Sequence, residues 1–194
     1  MLSDAHHHRK SLRLKSYDYS WAGAYFITIV TQNRLPLFGR VEANTMILSP
    51  AGEMLNTAWH HLPTRFPDIE LDASVIMPNH FHAILVFPTS TFGNPNAAPP
   101  INLGEPEQRV PTRGTPTEQP TLGTMIGAWK SLTTVAYIEG VKTQRWQPFQ
   151  GRLWQRNFYE HVIRDEIDLA RIRYYIQTNP LHWEQDTENP QVRA

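Results

Sequence analysis

His80 and His82 lie one residue apart in HFHAILVF, and two imidazoles at that spacing can grip one metal ion if the segment is extended. Side chains alternate along a strand, so His80, His82, Ile84 and Val86 share one face, and Phe81, Ala83, Leu85 and Phe87 the other. Two strand residues span roughly 7 Å between Cα atoms, and rings leaning together meet on one ion. The chain has no cysteine, so any metal must be held by histidine, carboxylate, amide or water. Taken alone, the pair also describes two ring residues on a solvated sheet face.

A second cluster lies in DEIDLARIRYYIQTNP, residues 165–180. Placed at 100° per residue, Leu169, Ile172 and Ile176 form an apolar stripe that seats a helix. Tyr175 falls at the edge of that stripe, and Asp168, Arg171 and Asn179 project on its side at i−7, i−4 and i+4. Tyr174 points about 100° away. A phenol with an amide one turn later can present a nucleophile and a metal ligand together. The same pattern also fits an ordinary amphipathic helix with packed tyrosines, and Pro180 leaves the helical geometry of Asn179 open.

The elements that must position these groups follow from pattern. Ala24–Thr31 is aromatic and β-branched and predicts a strand; Arg40–Leu48 predicts a weaker one. Ser49 and Pro50 supply an N-cap and a first-turn proline for a helix over 50–62, with Leu55, Ala58 and Leu62 at helical spacing. Ile69–Met77 and His80–Phe87 predict two strands joined at Pro78–Asn79, an antiparallel hairpin with an unusual turn pair. Thr121 caps a helix running to about Ile138, with Leu122, Met125, Ile126, Trp129 and Ala136 inward. Interleaved arginine and aromatic residues follow Val141 and include a strand. A last helix runs from about Asp165 to Asn179. The order β-β-α-β-β-α-(β)-α predicts an α+β sandwich with helices packed on one face of a mainly antiparallel sheet.

Between Pro88 and Pro120 stand eight of the chain's sixteen prolines. Each flank alone has too few elements for a core, so the 194 residues read as one domain with a flexible Pro-rich insertion at about 88–120. Hydrophobic residues at 40% and charged residues at 19% describe a globular chain. No apolar run is long enough for a membrane span and no signal-peptide core is visible, so a cytoplasmic protein without membrane partners is expected. The formal net charge of zero conceals a segregation. Seven Lys or Arg stand between Lys142 and Arg173 against four acids, which is either a phosphate-binding surface or a solvated charged face. His6-His7-His8-Arg9-Lys10 reads as a basic arm. His60, His61, His161 and His182 are isolated in sequence and read as structural or surface residues.

The stretches MPNHFHAILV, LGTMIGAWKS and LWQRNFYEHVIRDEIDLARIRYYIQTNP, together with YDYSWAGAYFITIVTQNR and GRVEANTMILSPAG, resemble the REP-associated tyrosine transposases. These are a branch of the single-tyrosine HUH transposase superfamily, and the resemblance covers nearly the whole chain outside the insertion. It implies a ferredoxin-like fold and metal-dependent cleavage and rejoining of single-stranded DNA at hairpin-forming repeats, through a 5′-phosphotyrosine. His80 and His82 would be ligands of Mg²⁺ or Mn²⁺, Asn179 the third ligand and Tyr175 the nucleophile, with Tyr174 its competitor. Lys130, Arg152, Arg156, Arg164 and Arg171 would meet DNA phosphates, and Trp154, with Phe158 and Tyr159, would either pack in the core, the favoured reading for the aromatics, or offer a flat face to unstacked bases. The resemblance allows a monomer or a homodimer. Two other readings stay open: a DNA-binding module that keeps the fold without cutting, and a metallohydrolase that uses water as nucleophile.

Overall fold

A computed structural model describes residues 23–88 and 120–192. The basic arm and residues 89–119 of the insertion lie outside the described residues. Four strands form the main sheet in the order β4-β5-β1-β6. They are β1 (Gly23–Val30), β4 (Glu70–Ile76), β5 (His80–Phe87) and β6 (Tyr159–Ile163), and every neighbouring pair is antiparallel. With α1 (Pro50–His60) between β1 and β4 and α3 (Leu122–Gln144) between β5 and β6, the main-sheet elements run β-α-β-β-α-β, the ferredoxin-like order. The two described stretches therefore share one sheet, because β6 pairs with β1.

The alternation of β5 divides its residues as expected. Phe81, Ala83, Leu85 and Phe87 join Tyr25, Ile27 and Ile29 of β1 under α1 and α3, in a core filled by Leu55, Trp59, Leu122, Met125, Ile126 and Trp129. The other face carries His80, His82 and Ile84. There α4 (Glu166–Thr178) adds a second, smaller layer through Ile172 and Ile176 against Phe26 and Ile84. Helices thus cover both faces: α1 and α3 on the side the pattern implied, and α4 on the histidine side.

Local signals set most boundaries. Ser49 Oγ accepts from the Gly52 N–H at 3.2 Å and starts α1; a single turn, α2 (Leu62–Arg65), follows it. Thr121 Oγ1 accepts from the Thr124 N–H at 3.2 Å and starts α3; Asp165 Oδ1 accepts from the Asp168 N–H at 2.8 Å and starts α4.

Three expectations change. The single strand over Arg40–Leu48 is a hairpin, β2 (Gly39–Glu42) and β3 (Thr45–Leu48), turned by Ala43 and Asn44 at φ 47° and 61°. That is the left-handed pair of a tight hairpin turn, made without the usual glycine. Helix α3 runs on past Ile138 to Gln144, because Gly140 lies inside it: a Cβ there would strike the Trp146 ring, so the glycine is a packing site and not a stop. Thr133 and Tyr137 of α3 are buried where Ala136, now half-buried, was expected.

Candidate active site

Strand β5 and helix α4 bring the two chemical clusters together. Residue pairing sets Thr28 of β1 opposite His82 and Val30 opposite His80. His82 is buried, with Nδ1 2.8 Å from Thr28 Oγ1 and Nε2 3.3 Å from the Tyr175 hydroxyl. His80 is fully buried, and its ring centroid lies 4.6 Å from that of His82.

Asn79 fixes which nitrogen of His80 faces the site. Its amide NH₂ donates to the carbonyls of Arg34 and Glu188, at 3.0 and 2.7 Å, so its Oδ1 must accept. The partner 2.9 Å away is His80 Nδ1, which therefore carries the proton and leaves a lone pair on Nε2. That Nε2 is buried without a hydrogen-bond partner, and so is Asn179 Oδ1. Asn179 keeps helical dihedrals (φ −55°, ψ −41°) in spite of Pro180, and the chain continues as a 3-10 segment, Asn179–Gln185. This segment delivers Asp186, whose Oδ2 lies 3.7 Å from His80 Nε2. Ligand atoms of His80, His82 and Asp186 all fall within 4.8 Å of one another, so these three can hold a metal ion. Two imidazole nitrogens, a carboxylate and a nearby amide oxygen, two of them orphaned acceptors, fit a divalent cation.

Electrostatics keep the histidines in the ligand form. Burial holds His82 well below the usual imidazole range, and the neighbouring His80 lowers it further. Burial also lowers His80, against the opposing pull of Asp186, Glu188 and Asn179. Both rings are neutral at neutral pH, as ligation requires. Tyr175 is driven upward, first by burial and then by Asp186 and Glu188, while Asn179 works the other way. Tyr174 is 67% exposed and on another side of α4 from the histidines, as the helical projection predicts.

A cleft of about 550 Å³ opens over this face, lined among others by Phe26, Tyr159, His161, Arg171, Tyr175 and Glu188. The remaining expected DNA contacts divide. Arg152 and Arg156 line a surface groove with Lys130, whose ammonium donates to the carbonyls of Gln155 and Arg156 at 2.6 and 3.2 Å. Burial, with Arg152 adding, pushes Lys130 down to about 8, and its two bonds to backbone carbonyls tie α3 to the loop at Gln155 and Arg156. Arg164 is exposed just past the end of β6 and lines neither the cleft nor the groove. Trp154 is corrected: it is buried, donates from its indole to Thr133 Oγ1 at 3.1 Å and stacks among Phe38 and Trp129, with no face left for a base.

Two residues escaped the sequence reading. Asp186 follows α4 across an irregular segment, where no periodicity marks it. Asn79 did leave a signal, since Pro-Asn is a poor turn pair, and its side chain is spent on three hydrogen bonds.

Comparison with known proteins points the same way as the motifs. No protein-family model matches the chain. It is 38% identical over 180 residues to an uncharacterized protein of Haemophilus influenzae, covering 93% of this chain and 92% of that one. A second H. influenzae protein, described as "Putative REP-associated tyrosine transposase", is 26% identical over 164 residues, 84% of this chain and 73% of that one. A solved structure of a REP-associated tyrosine transposase bound to a REP hairpin shares the fold, with a TM-score of 0.54 at 20% identity over 87% of this chain and 72% of that one. The chain is similar to the REP-associated tyrosine transposases, in sequence to one such protein and in fold to another. That similarity supports a transposase-like function. Among the described residues, no helix is long and apolar enough to cross a membrane.

Proposed function

We propose that the protein cleaves and rejoins single-stranded DNA at hairpin-forming repeats, with Tyr175 as nucleophile and His80, His82 and Asn179 as metal ligands, joined by Asp186. The observation that carries this reading is the meeting of the Tyr175 hydroxyl with His82 Nε2 at 3.3 Å, beside the orphaned acceptors His80 Nε2 and Asn179 Oδ1. A divalent ion there, Mg²⁺ or Mn²⁺, supplies polarisation of a non-bridging phosphate oxygen and offsets charge developing on the phosphoryl group.

The protein's own groups do the rest. A phenol of ordinary pKa near 10, raised further by burial, is protonated at neutral pH, so its proton must leave as the attack proceeds. The bond from Tyr175 Oη to phosphorus forms while the bond from phosphorus to the 3′-oxygen breaks. The phenolic proton passes to solvent and the departing 3′-oxygen takes one from it. The 5′-phosphotyrosine left behind conserves the energy of the broken bond, and attack by the 3′-hydroxyl of another strand reverses the step. Thr28 and Asn79 hold the two imidazoles by their Nδ1 atoms, and Phe26, 6.0 Å from the Tyr175 ring, walls the nucleophile on one side. Arg152, Arg156 and Lys130 form one phosphate-binding groove in this reading; Arg164 and Arg171 are further contacts. The 194 residues act as one domain, as a monomer or a homodimer.

The test is a denaturing gel with labelled hairpin DNA from repeats flanking the gene, run in Mn²⁺ and with a chelator. Wild type should form a metal-dependent covalent adduct that is absent from Tyr175→Phe and His80→Ala. An adduct that persists in Tyr175→Phe moves the nucleophile to Tyr174. Binding without any adduct leaves a non-cutting DNA-binding module.

A further inference from the structure

His161, isolated in sequence, is not isolated in the fold. It stands on edge strand β6 opposite Phe26, and its Nε2 lies 2.7 Å from Asp168 Oδ2. The other carboxylate oxygen of Asp168 accepts from Arg171 Nη2 at 2.6 Å. Asp168 thus links one ring from the sheet to one guanidinium from α4, and those two bonds hold its carboxyl down at about 2. Arg171 remains 70% exposed and has further N–H donors to spend.

His161 and Arg171 of this triad line the same cleft as Tyr175, where Arg171 is the only Lys or Arg among the described lining residues and Asp186, Thr187 and Glu188 also contribute. Arg171 precedes Tyr175 by four residues on one face of α4, about 6 Å along the helix axis. That is comparable to one nucleotide of extended backbone. A strand running along α4 with its scissile phosphate at Tyr175 would bring its next phosphate to Arg171.

We propose that Arg171, oriented by Asp168 and flanked by His161, is the subsite for the phosphate next to the scissile one and sets which internucleotide bond reaches Tyr175. The proposal rests on Tyr175 being the attacking residue. Arg171 is the contact; Asp168 is a positioning residue, since a guanidinium held on one side presents its remaining donors in a fixed direction.

The experiment replaces each phosphate near the cleavage position, one at a time, by an uncharged methylphosphonate. Adduct formation in Mn²⁺ and equilibrium binding are both measured for wild type, Arg171→Ala, Arg171→Lys and Asp168→Asn. Wild type should lose about 10- to 100-fold on one neighbouring substitution, the range for a hydrogen bond to a charged group. Arg171→Ala should be equally slow on the natural and the substituted strand, a ratio near one that a merely structural role would not produce. Arg171→Lys should restore part of the ratio through its charge, and Asp168→Asn should lower it. If Arg171→Ala keeps the wild-type ratio at every position, the subsite is wrong. A wild type that forms no adduct on any natural strand sinks the Tyr175 reading instead, and the binding ratios then still decide whether Arg171 meets a phosphate.

Discussion

The two faces of the central sheet leave different atoms unsatisfied. Under α1 and α3, the buried side-chain atoms without hydrogen-bond partners include the indole nitrogens of Trp59 and Trp129. Both rings pack edge-on at 5.9 Å within an aromatic cluster, where a lone N–H donor has ring faces around it. Under α4 the orphans are acceptors, His80 Nε2 and Asn179 Oδ1, and they sit beside the Asp186 carboxylate and His82. Donors dispersed among rings cannot hold a cation, whereas acceptors converging on one point can. The kind and convergence of unsatisfied atoms, more than their number, separates a packing compromise from a site.

Four measurements break or sharpen that comparison. The largest effect is on chemistry: Tyr175→Phe should cut adduct formation by more than ~1000-fold, the scale on which single members of a catalytic set act, with the thermal midpoint almost unchanged. An adduct rate within tenfold of wild type would end the argument for this face.

Next come the neighbours on β5. Phe81→Ala, on the core face, should cost about 3–5 kcal/mol in urea unfolding. His82→Ala, one residue on and facing α4, should cost roughly 1–2 kcal/mol, the scale of a lost buried hydrogen bond, while abolishing the adduct. Equal stability losses would erase the distinction between the faces.

The third effect is on pH. His80 and His82 are held below the usual 6.5 in the native state by burial. In the unfolded chain they take up protons as pH falls through that value, and the native chain does not. The unfolded state then binds more protons, so stability falls as pH is lowered from 7 to 5. Urea midpoints at pH 5, 6 and 7 should show this slope, and the double variant His80→Gln, His82→Gln should flatten it.

The smallest effect belongs to the clamp on α4, where Arg173 pairs with Asp72 of β4 through two hydrogen bonds at 2.8 and 2.5 Å. Both groups are partly exposed, so Asp72→Ala should cost only ~0.2–1 kcal/mol. Adduct formation should fall a few-fold as the helix carrying Tyr175 loosens.

Period-two and helical patterns made the central parts readable before any coordinates. HFH could place both rings on one face only as a strand, and the Tyr175–Asn179 offset needed only a helix. What stayed hidden lacked a local period. Asp186 arrives through a 3-10 segment, and the partner of His161 lies seven residues on, across a change from strand to helix. Trp154 was misplaced because an aromatic in an irregular stretch carries no mark of which way it points. The hairpin turn at Ala43–Asn44 lacks its usual glycine, and Gly140 lies inside α3 beyond the expected end at Ile138.

Strand β5 makes the core and the candidate site dependent on the same parity. Removing or adding one residue between His80 and Phe87 would turn the imidazoles toward Trp59 and Trp129 and the ring of Phe81 toward Tyr175, losing packing and chemistry in one step. Substitution can retune this strand, but a change of length inside it cannot be tolerated. An insertion placed beyond Phe87 leaves that parity intact, and that is where the proline-rich stretch begins.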